Sequence, residues 1–173
     1  LLTYTSIFHS NKRVRSENYF TWEPFMEVLK VFAAIFITAA PVIAILKVGD
    51  SGALSGLVQL VNTAEGPHNG LYYWITGGLS AVLDNAPTYL VFFNLAGGNA
   101  SELMTTFSQT LLAISAGSVF MGALTYIGNA PNFMVKAIAE QNRISMPSFF
   151  GYMIWSVGIL GPLFILVSFL WVQ

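Results

Sequence analysis

The chain has 173 residues, of which 55% are apolar and only 9% are charged, and its mean hydropathy is +0.65. Soluble domains carry roughly 25% charged residues, so this composition excludes an ordinary soluble domain and indicates an integral membrane protein. The formal net charge of −1 does not indicate orientation, and the absence of cysteine excludes disulfides, thiolate metal sites and cysteine nucleophiles.

In chain order, a polar segment comes first and apolar segments follow. Residues 1–27 are predicted to form a cytoplasmic loop and the end of a preceding helix, and Val28 to Leu46 a first membrane span. Ala53 to Asn62 is too short to cross a bilayer, and its apolar residues recur at helical spacing. Residues 28–62 are therefore expected to form a transmembrane helix that continues as an interfacial helix.

Two short apolar segments then meet at a polar turn within residues 71–97. As a helix, Leu71 to Leu83 would reach only about 20 Å, short of a hydrocarbon core about 30 Å thick, and Thr88 to Ala96 is shorter still. The polar turn, Asp84 to Pro87, predicts a re-entrant hairpin that enters and leaves the membrane by the same face. One kinked span over the same residues, bent at Pro87, is the alternative.

A second polar interruption lies in the next apolar stretch. Leu103 to Ile127 is apolar, Gly128 to Asn132 interrupts it, and Phe133 to Glu140 resumes it. This pattern predicts a broken transmembrane helix over residues 103–143. Residues 148–172 form the last predicted span.

The basic residues distinguish the hairpin from the kinked span. With the N-terminal loop in the cytoplasm and a hairpin at 71–97, Lys136 and Arg143 also face the cytoplasm, as the positive-inside trend prefers. A crossing segment would put both of them outside. We therefore predict a cytoplasmic N-terminal loop and an external C-terminus, in a bilayer expected to be a bacterial inner membrane.

The tripeptide Asn-Ala-Pro occurs in both interruptions, at Asn85 to Pro87 and at Asn129 to Pro131. In hydrocarbon, broken backbone persists only where it is buried in protein or lines a polar cavity. An acid near the bilayer centre costs about 2.5–3.5 kcal/mol or more, so Asp84 requires a cation, a proton or donors to offset it. The two breaks are therefore predicted to form one ion or substrate site. An acid paired structurally near an interface, and a simple kink in a packed helix, are the alternative interpretations.

The candidate site residues share oxygen-bearing side chains or unusual backbone. Hard cations favour oxygen ligands, so Asp84 and Asn85 are candidate ligands for a sodium ion. The predicted ion- or substrate-binding set is Ser80, Asp84, Asn85, Pro87, Thr88, Thr125, Gly128, Asn129 and Asn132. No catalytic residue, covalent cofactor or nucleic-acid partner is expected, and sodium ions and protons are the expected transported or coupling ions.

Two segments match a known pattern. Residues 78–88 (GLSAVLDNAPT) resemble the hairpin-tip motif of the ion transporter superfamily, which includes NhaD-type sodium/proton antiporters, arsenite permeases and citrate transporters of the CitMHS type. Residues 122–132 (GALTYIGNAPN) are similar to its second motif, the unwound stretch of the following helix. The resemblance covers nearly the whole chain and includes the closing run at 146–153.

The resemblance implies an all-α integral membrane protein in which transmembrane helices accompany a re-entrant helical hairpin and a discontinuous helix. It also implies that this chain is one repeat of an inverted-repeat secondary transporter. The N-terminal half of the transporter would then be absent from this chain and would contribute the rest of the site. The lipid bilayer and that missing half are the expected partners, and a homodimer is compatible with the pattern.

The first functional hypothesis is sodium/proton antiport, in which Asp84 binds either a proton or a sodium ion and couples the two fluxes by competition. The alternative is a cation- or proton-coupled carrier of citrate or a similar organic anion, held by Asn85, Thr88, Asn129 and Asn132 with help from a half-helix N-terminus. No arginine lies at either break, which disfavours a multiply charged anion unless the missing half supplies charge.

Two lesser alternatives come from other functional classes. A non-transporting structural subunit would use both breaks only for packing. An intramembrane aspartyl protease would require a second aspartate facing Asp84, and the only other one, Asp50, is predicted to lie at an interface.

Overall fold

In the computed structural model the chain is mostly helical. The structure describes residues 2–17 and 51–172 and, between them, Met26, Leu29, Lys30, Ala33, Ala34, Ile37, Thr38, Ala40, Pro41, Ala44, Ile45 and Val48. The predicted first span at 28–46 therefore lies largely outside the described residues, and Asp50 lies outside them entirely. The chain divides into two compact units, Leu1–Ala33 and Ala34–Gln173.

The first unit contains helices α1 (Leu2–His9) and α2 (Lys12–Glu17). Helix α2 falls within the segment 1–27, where the sequence predicted a loop after the end of one helix. Asn11 caps it, because its Oδ1 accepts a hydrogen bond from Arg13 N at 2.9 Å. Arg13 Nε also lies 2.7 Å from Glu17 Oε1, an i,i+4 pair that supports a short helix by a few tenths of a kcal/mol.

The second unit begins its described continuous part with helix α3 (Ser55–Val61), inside the predicted interfacial helix. Strands β1 (Asn62–Thr63) and β2 (Gly66–Pro67) follow and pair antiparallel. The all-α expectation omitted this small ladder. It depends on Gly66, whose φ of +125° is open to glycine but strained for other residues.

A helical hairpin follows, made of α4 (Asn69–Leu83) and α5 (Asn85–Leu95). The chain reverses direction at the tip of this hairpin. The reversal is shown by the rings of Tyr72 and Phe92, which pack edge to face with centroids 6.3 Å apart. A single kinked helix would separate these residues by about 30 Å at 1.5 Å per residue. The structure therefore has a helical hairpin, with helices Asn69–Leu83 and Asn85–Leu95, where one was predicted at 71–97, and its re-entry into a membrane stays a prediction.

The next apolar stretch is broken in more places than the sequence indicated. It forms α6 (Ala100–Thr105), α7 (Ser108–Phe120), a 3-10 turn (Met121–Leu124) and α8 (Ala130–Gln141). The extra interruption after Thr105 coincides with its hydroxyl bonding to Ser101 O at 2.8 Å, a side-chain bond that competes with regular helix. The main break runs from 125 to 129, whereas Gly128 to Asn132 was predicted.

The last helix, α9 (Phe149–Trp171), begins after Ser148, whose hydroxyl accepts from Gly151 N at 3.2 Å. Its 23 residues rise about 35 Å, enough to cross a bilayer core. In the described part of the chain it is the one helix long and apolar enough to do so. Phe150, Ile154 and Phe169 are each more than 70% exposed, which is typical of a surface that faces lipid.

The core of this unit lies where α4 crosses α7. Tyr73 and Ile114 are fully buried there, and the Tyr73 hydroxyl donates to Phe164 O of α9 at 3.3 Å. A Cβ atom at Gly117 would collide with Tyr73 O, and one at Gly77 would collide with the Met121 side chain. Gly117 therefore allows the two helices to approach backbone to backbone, while Gly77 leaves room for the Met121 side chain, and this crossing holds the hairpin against the broken helix.

Candidate functional site

The hairpin tip is a single residue, Asp84, between the end of α4 and the start of α5. The predicted turn included Asn85 to Pro87, but these residues already form the first turn of α5. Proline is tolerated there because the backbone N–H that it lacks would have no partner within the helix. The Asp84 carboxylate caps α5 by accepting from Asn85 N at 2.5 Å, and the Asp84 carbonyl accepts from the Thr88 hydroxyl at 2.8 Å.

Asp84 also has an unusual backbone. Its φ of 97° and ψ of 153° lie in a region that is essentially restricted to glycine. Such strain costs about 1–3 kcal/mol and persists only where the surrounding structure over-determines it. A glycine would fit this turn better, so the carboxylate is retained at the expense of local stability.

The Asn85 side chain joins the two breaks. We assign its amide orientation from its hydrogen-bond partners, because the opposite orientation would set the amide oxygen against carbonyl oxygens. Asn85 Nδ2 then donates to Ser118 O at 2.8 Å and lies 3.2 Å from Gly128 O, while Asn85 Oδ1 accepts from Asn129 Nδ2 at 3.1 Å. The asparagines of the two Asn-Ala-Pro copies are thus in direct contact.

Ser80, on helix α4 of the hairpin, also contacts the Asn85 side chain. Its fully buried hydroxyl donates to Ser118 O at 2.5 Å and lies 3.1 Å from the Asn85 amide. In this arrangement Ser80 orients Asn85. Its hydroxyl hydrogen is committed to a protein carbonyl.

Thr125 produces the break in the second element. Its hydroxyl accepts from Ile127 N at 3.2 Å and Gly128 N at 2.8 Å, which replaces the helical hydrogen bonds of that turn. The same hydroxyl donates to Ala81 O at 2.5 Å and so links the break to the end of α4. Because all of these bonds are internal, Thr125 acts here as a positioning residue.

Asn132 and Gly128 stabilise the break from its other side. Asn132 Nδ2 donates to Thr125 O at 3.2 Å and reaches Gly122 O at 3.5 Å. A Cβ at Gly128 would lie 2.7–2.9 Å from the carbonyl oxygens of Gly122, Ala81 and Ser80, so only glycine fits. Pro131 lies in the first turn of α8, which explains why the helix resumes at Ala130 and not after Asn132.

Helix α9 satisfies carbonyls that the break leaves without helical partners. The Tyr152 hydroxyl donates to Ala123 O at 3.0 Å, and the Ser156 hydroxyl donates to Leu124 O at 2.7 Å. Both residues lie on one face of α9, four positions apart. Sequence analysis did not identify them, because polar side chains at helical spacing in a span do not indicate which carbonyls they reach.

We expect Ser156→Ala to destabilise the second unit, because Leu124 O, which is partly buried, would lose the donor that the buried Ser156 hydroxyl provides. A buried carbonyl without a partner costs about 1–3 kcal/mol. The thermal unfolding temperature in detergent should fall, as measured by tryptophan fluorescence or size-exclusion recovery after heating. Ser145→Ala, at an exposed serine before α9, is the matched control. Equal unfolding temperatures for the two variants would contradict the capping role.

A cleft of about 450 Å³ opens beside Asn85. It lies between α5 and α7, and its lining residues are Asn85, Ala86, Tyr89, Leu90, Ser115, Ser118 and Val119. Tyr89, Ser115 and Ser118 were not among the sequence candidates. Their only sequence signal is a hydroxyl in an apolar helix, which is too common to single them out.

The structure therefore brings most of the predicted site residues together. Ser80, Asn85, Thr125, Gly128, Asn129 and Asn132 form one connected network of contacts between the hairpin and the broken helix. Asp84, Pro87 and Thr88 lie at the adjoining tip. Among the described residues, no cluster of three or more His, Asp or Glu side chains could hold a metal ion. Sodium binding by Asp84 and Asn85 thus stays a prediction.

The chain matches a known protein family over nearly its whole length. Residues 1–172 match the family CitMHS_2, whose description is "Putative citrate transport". No curated protein and no solved structure matches the chain.

Proposed function

Because the chain belongs to this CitMHS_2 family and is therefore a transporter-type membrane protein, we propose that it forms one repeat of a carrier for citrate or a similar organic anion. In this proposal, transport of the anion is coupled to a cation or a proton. The family supports the organic anion over sodium/proton antiport, which was the first hypothesis from the sequence.

The observation that carries the proposal is the contact between Asn85 and Asn129 at the ends of four half-helices. Helices α5 and α8 begin at this contact, and α4 and the 3-10 turn after α7 end beside it. Helix N-termini carry about half a positive charge and favour anions, whereas C-terminal carbonyls favour cations. Discontinuous helices in transporters use both kinds of end around one site. The arrangement suits an anion and a cation bound together.

Hydrogen-bond donors at the site are already used within the protein. The hydroxyls of Ser80, Thr88 and Thr125 all donate to backbone carbonyls. They therefore have no hydrogen left for a substrate carboxylate, and the lone pairs of Thr125 are also used, because its hydroxyl accepts from Ile127 N and Gly128 N. The Asp84 carboxylate has further acceptor capacity, since its recorded partner in the described chain is Asn85 N. These groups favour a cation role for the tip, so Asp84 is the proposed coupling residue.

The proposal includes a second, inverted repeat outside this chain, as the family resemblance implies. That repeat and the lipid bilayer would cover side chains such as Phe133, Val135 and Ile138, each more than half exposed. The second repeat would also supply the substrate groups that this half-site lacks.

Reconstituted liposomes test the proposal. With the complete transporter, uptake of radiolabelled citrate should increase under an inward sodium or proton gradient, and citrate should raise the thermal unfolding temperature by mass action. A pH-sensitive dye inside the liposomes should report no sodium-driven proton flux when organic anions are absent. Sodium/proton exchange without any organic anion, and no citrate uptake, would overturn the proposal in favour of antiport.

A further inference from the structure

Helix α8 carries a row of polar residues that begins at the candidate site. Asn129 directly precedes the helix, and Asn132, Lys136 and Glu140 follow at spacings of three or four residues, which places them on one helix face. We call these four residues the polar stripe. The exposed apolar residues Val135 and Ile138 lie on other faces of the helix, whereas exposed Phe133, four residues after Asn129, borders the stripe. The stripe thus runs from the Asn85–Asn129 contact toward the far end of α8.

Lys136 lies over the break. Its Nζ atom is 5.5 Å from the ring centroid of Tyr126, which is 4% exposed and directly follows Thr125. Its Nζ atom is also 2.6 Å from Glu140 Oε1, and the Lys136 side chain is 23% exposed against 47% for Glu140. The Lys136 ammonium therefore lies toward the broken helix, while the Glu140 carboxylate lies closer to solvent.

The depth of Lys136 requires explanation if α8 lies in a membrane. Seven residues separate it from Asn129, a rise of about 10 Å. With the break near the bilayer midplane, Lys136 would lie inside a hydrocarbon half-thickness of about 15 Å. Ionisable residues at such depth usually face a water-filled cavity and take part in function. A partly exposed i,i+4 ion pair contributes only a few tenths of a kcal/mol and does not offset burial in lipid.

We propose that the polar stripe lines an aqueous path to the candidate site and that Lys136 recruits a substrate carboxylate by exchanging it for Glu140. The substrate class is a dicarboxylate or tricarboxylate anion, so the inference rests on the proposed function. None of the sequence-predicted site residues is basic, and Lys136 supplies the positive charge that they lack. The stripe as an anion path can be tested without citrate.

Cysteine labelling provides that test. This chain contains no cysteine, so single cysteines can be introduced once any thiols elsewhere in the complete transporter are replaced. Asn132→Cys and Glu140→Cys should react with water-soluble methanethiosulfonates at least about ten times faster than Val135→Cys and Ile138→Cys. Equal reaction at all four positions would overturn the aqueous path.

The charge of the reagent tests Lys136. In the Asn132→Cys variant, the rate ratio of anionic to cationic methanethiosulfonate should fall about fivefold when Lys136→Gln is added, as expected for one unit charge at a distance of several ångströms. Lys136→Arg should preserve the ratio. An unchanged ratio in Lys136→Gln would overturn the proposed role.

Citrate kinetics connect the stripe to transport. Lys136→Gln should raise the half-saturating citrate concentration about tenfold, with a smaller effect on the maximal rate. Glu140→Gln should lower the half-saturating citrate concentration. Arg13→Gln and Glu17→Gln are matched controls, because they break an i,i+4 pair that is exposed at 82% and 61%. Unaltered half-saturation in Lys136→Gln would refute recruitment. Charge-selective labelling without any citrate uptake would instead refute the proposed function and leave the anion path standing.

Discussion

Replacing Asp84 with asparagine is expected to abolish gradient-driven citrate uptake while leaving the fold intact. Asparagine is as good an N-cap as aspartate and has nearly the same size, so the cap is kept and the backbone strain at the tip is unchanged. Thermal stability should therefore change little. A charge-assisted contact to a coupling cation is worth up to about 3 kcal/mol, so uptake should fall by about 100-fold. The measurement is the initial rate of radiolabelled citrate uptake in liposomes under sodium and proton gradients.

Asp84→Gly separates the role of the carboxylate from the strain at the tip. Glycine relieves about 1–3 kcal/mol of backbone strain and loses only a few tenths of a kcal/mol of capping, so this variant should be more stable than the wild type and yet inactive. Asp84→Ala keeps the strain and loses the cap, so it should be the least stable of the three variants. Full uptake by Asp84→Asn would show that the carboxylate only caps α5.

Gly128→Ala is expected to have the largest effect on stability. The added Cβ would lie 2.7–2.9 Å from three backbone carbonyl oxygens, those of Gly122, Ala81 and Ser80. Backbone atoms cannot rotate away as a side chain can, so the break must move off the hairpin and weaken the Asn85–Asn129 contact. We expect a loss of about 3 kcal/mol in the free energy of unfolding. Thermal unfolding in detergent and citrate uptake measure the two consequences.

Gly158→Ala is the control for the general effect of replacing glycine. Gly158 lies inside α9, where an added Cβ meets no atom within 4 Å. Alanine in such a helix position is neutral or stabilising by about 0.5–1 kcal/mol. If Gly128→Ala unfolded at the same temperature as Gly158→Ala and still transported citrate, the close contact between the two breaks would be refuted.

The sequence predicted which elements form the site more accurately than it predicted where those elements begin and end. The transporter resemblance read from residues 78–88 and 122–132 is confirmed by the family match over 1–172. The helix boundaries at the breaks differed because side chains set them. Thr125 replaces helical bonds with its own hydroxyl, and Pro131 lies in the first turn of α8. Such local bonds depend on rotamers that a hydropathy pattern does not contain.

The sequence by itself determined the membrane class, the two breaks and their polar residues, because composition and proline positions act locally along the chain. Only the tertiary structure decided which groups meet. In the structure Asn85 contacts Asn129, and the hydroxyls of Ser80 and Thr125 donate to backbone carbonyls. A side chain of α9 also donates to a carbonyl of the break. The physical reason is that these contacts join residues far apart in the chain. At the hairpin and the broken helix they also need glycine, since a Cβ at Gly117 or Gly128 would collide with backbone carbonyls.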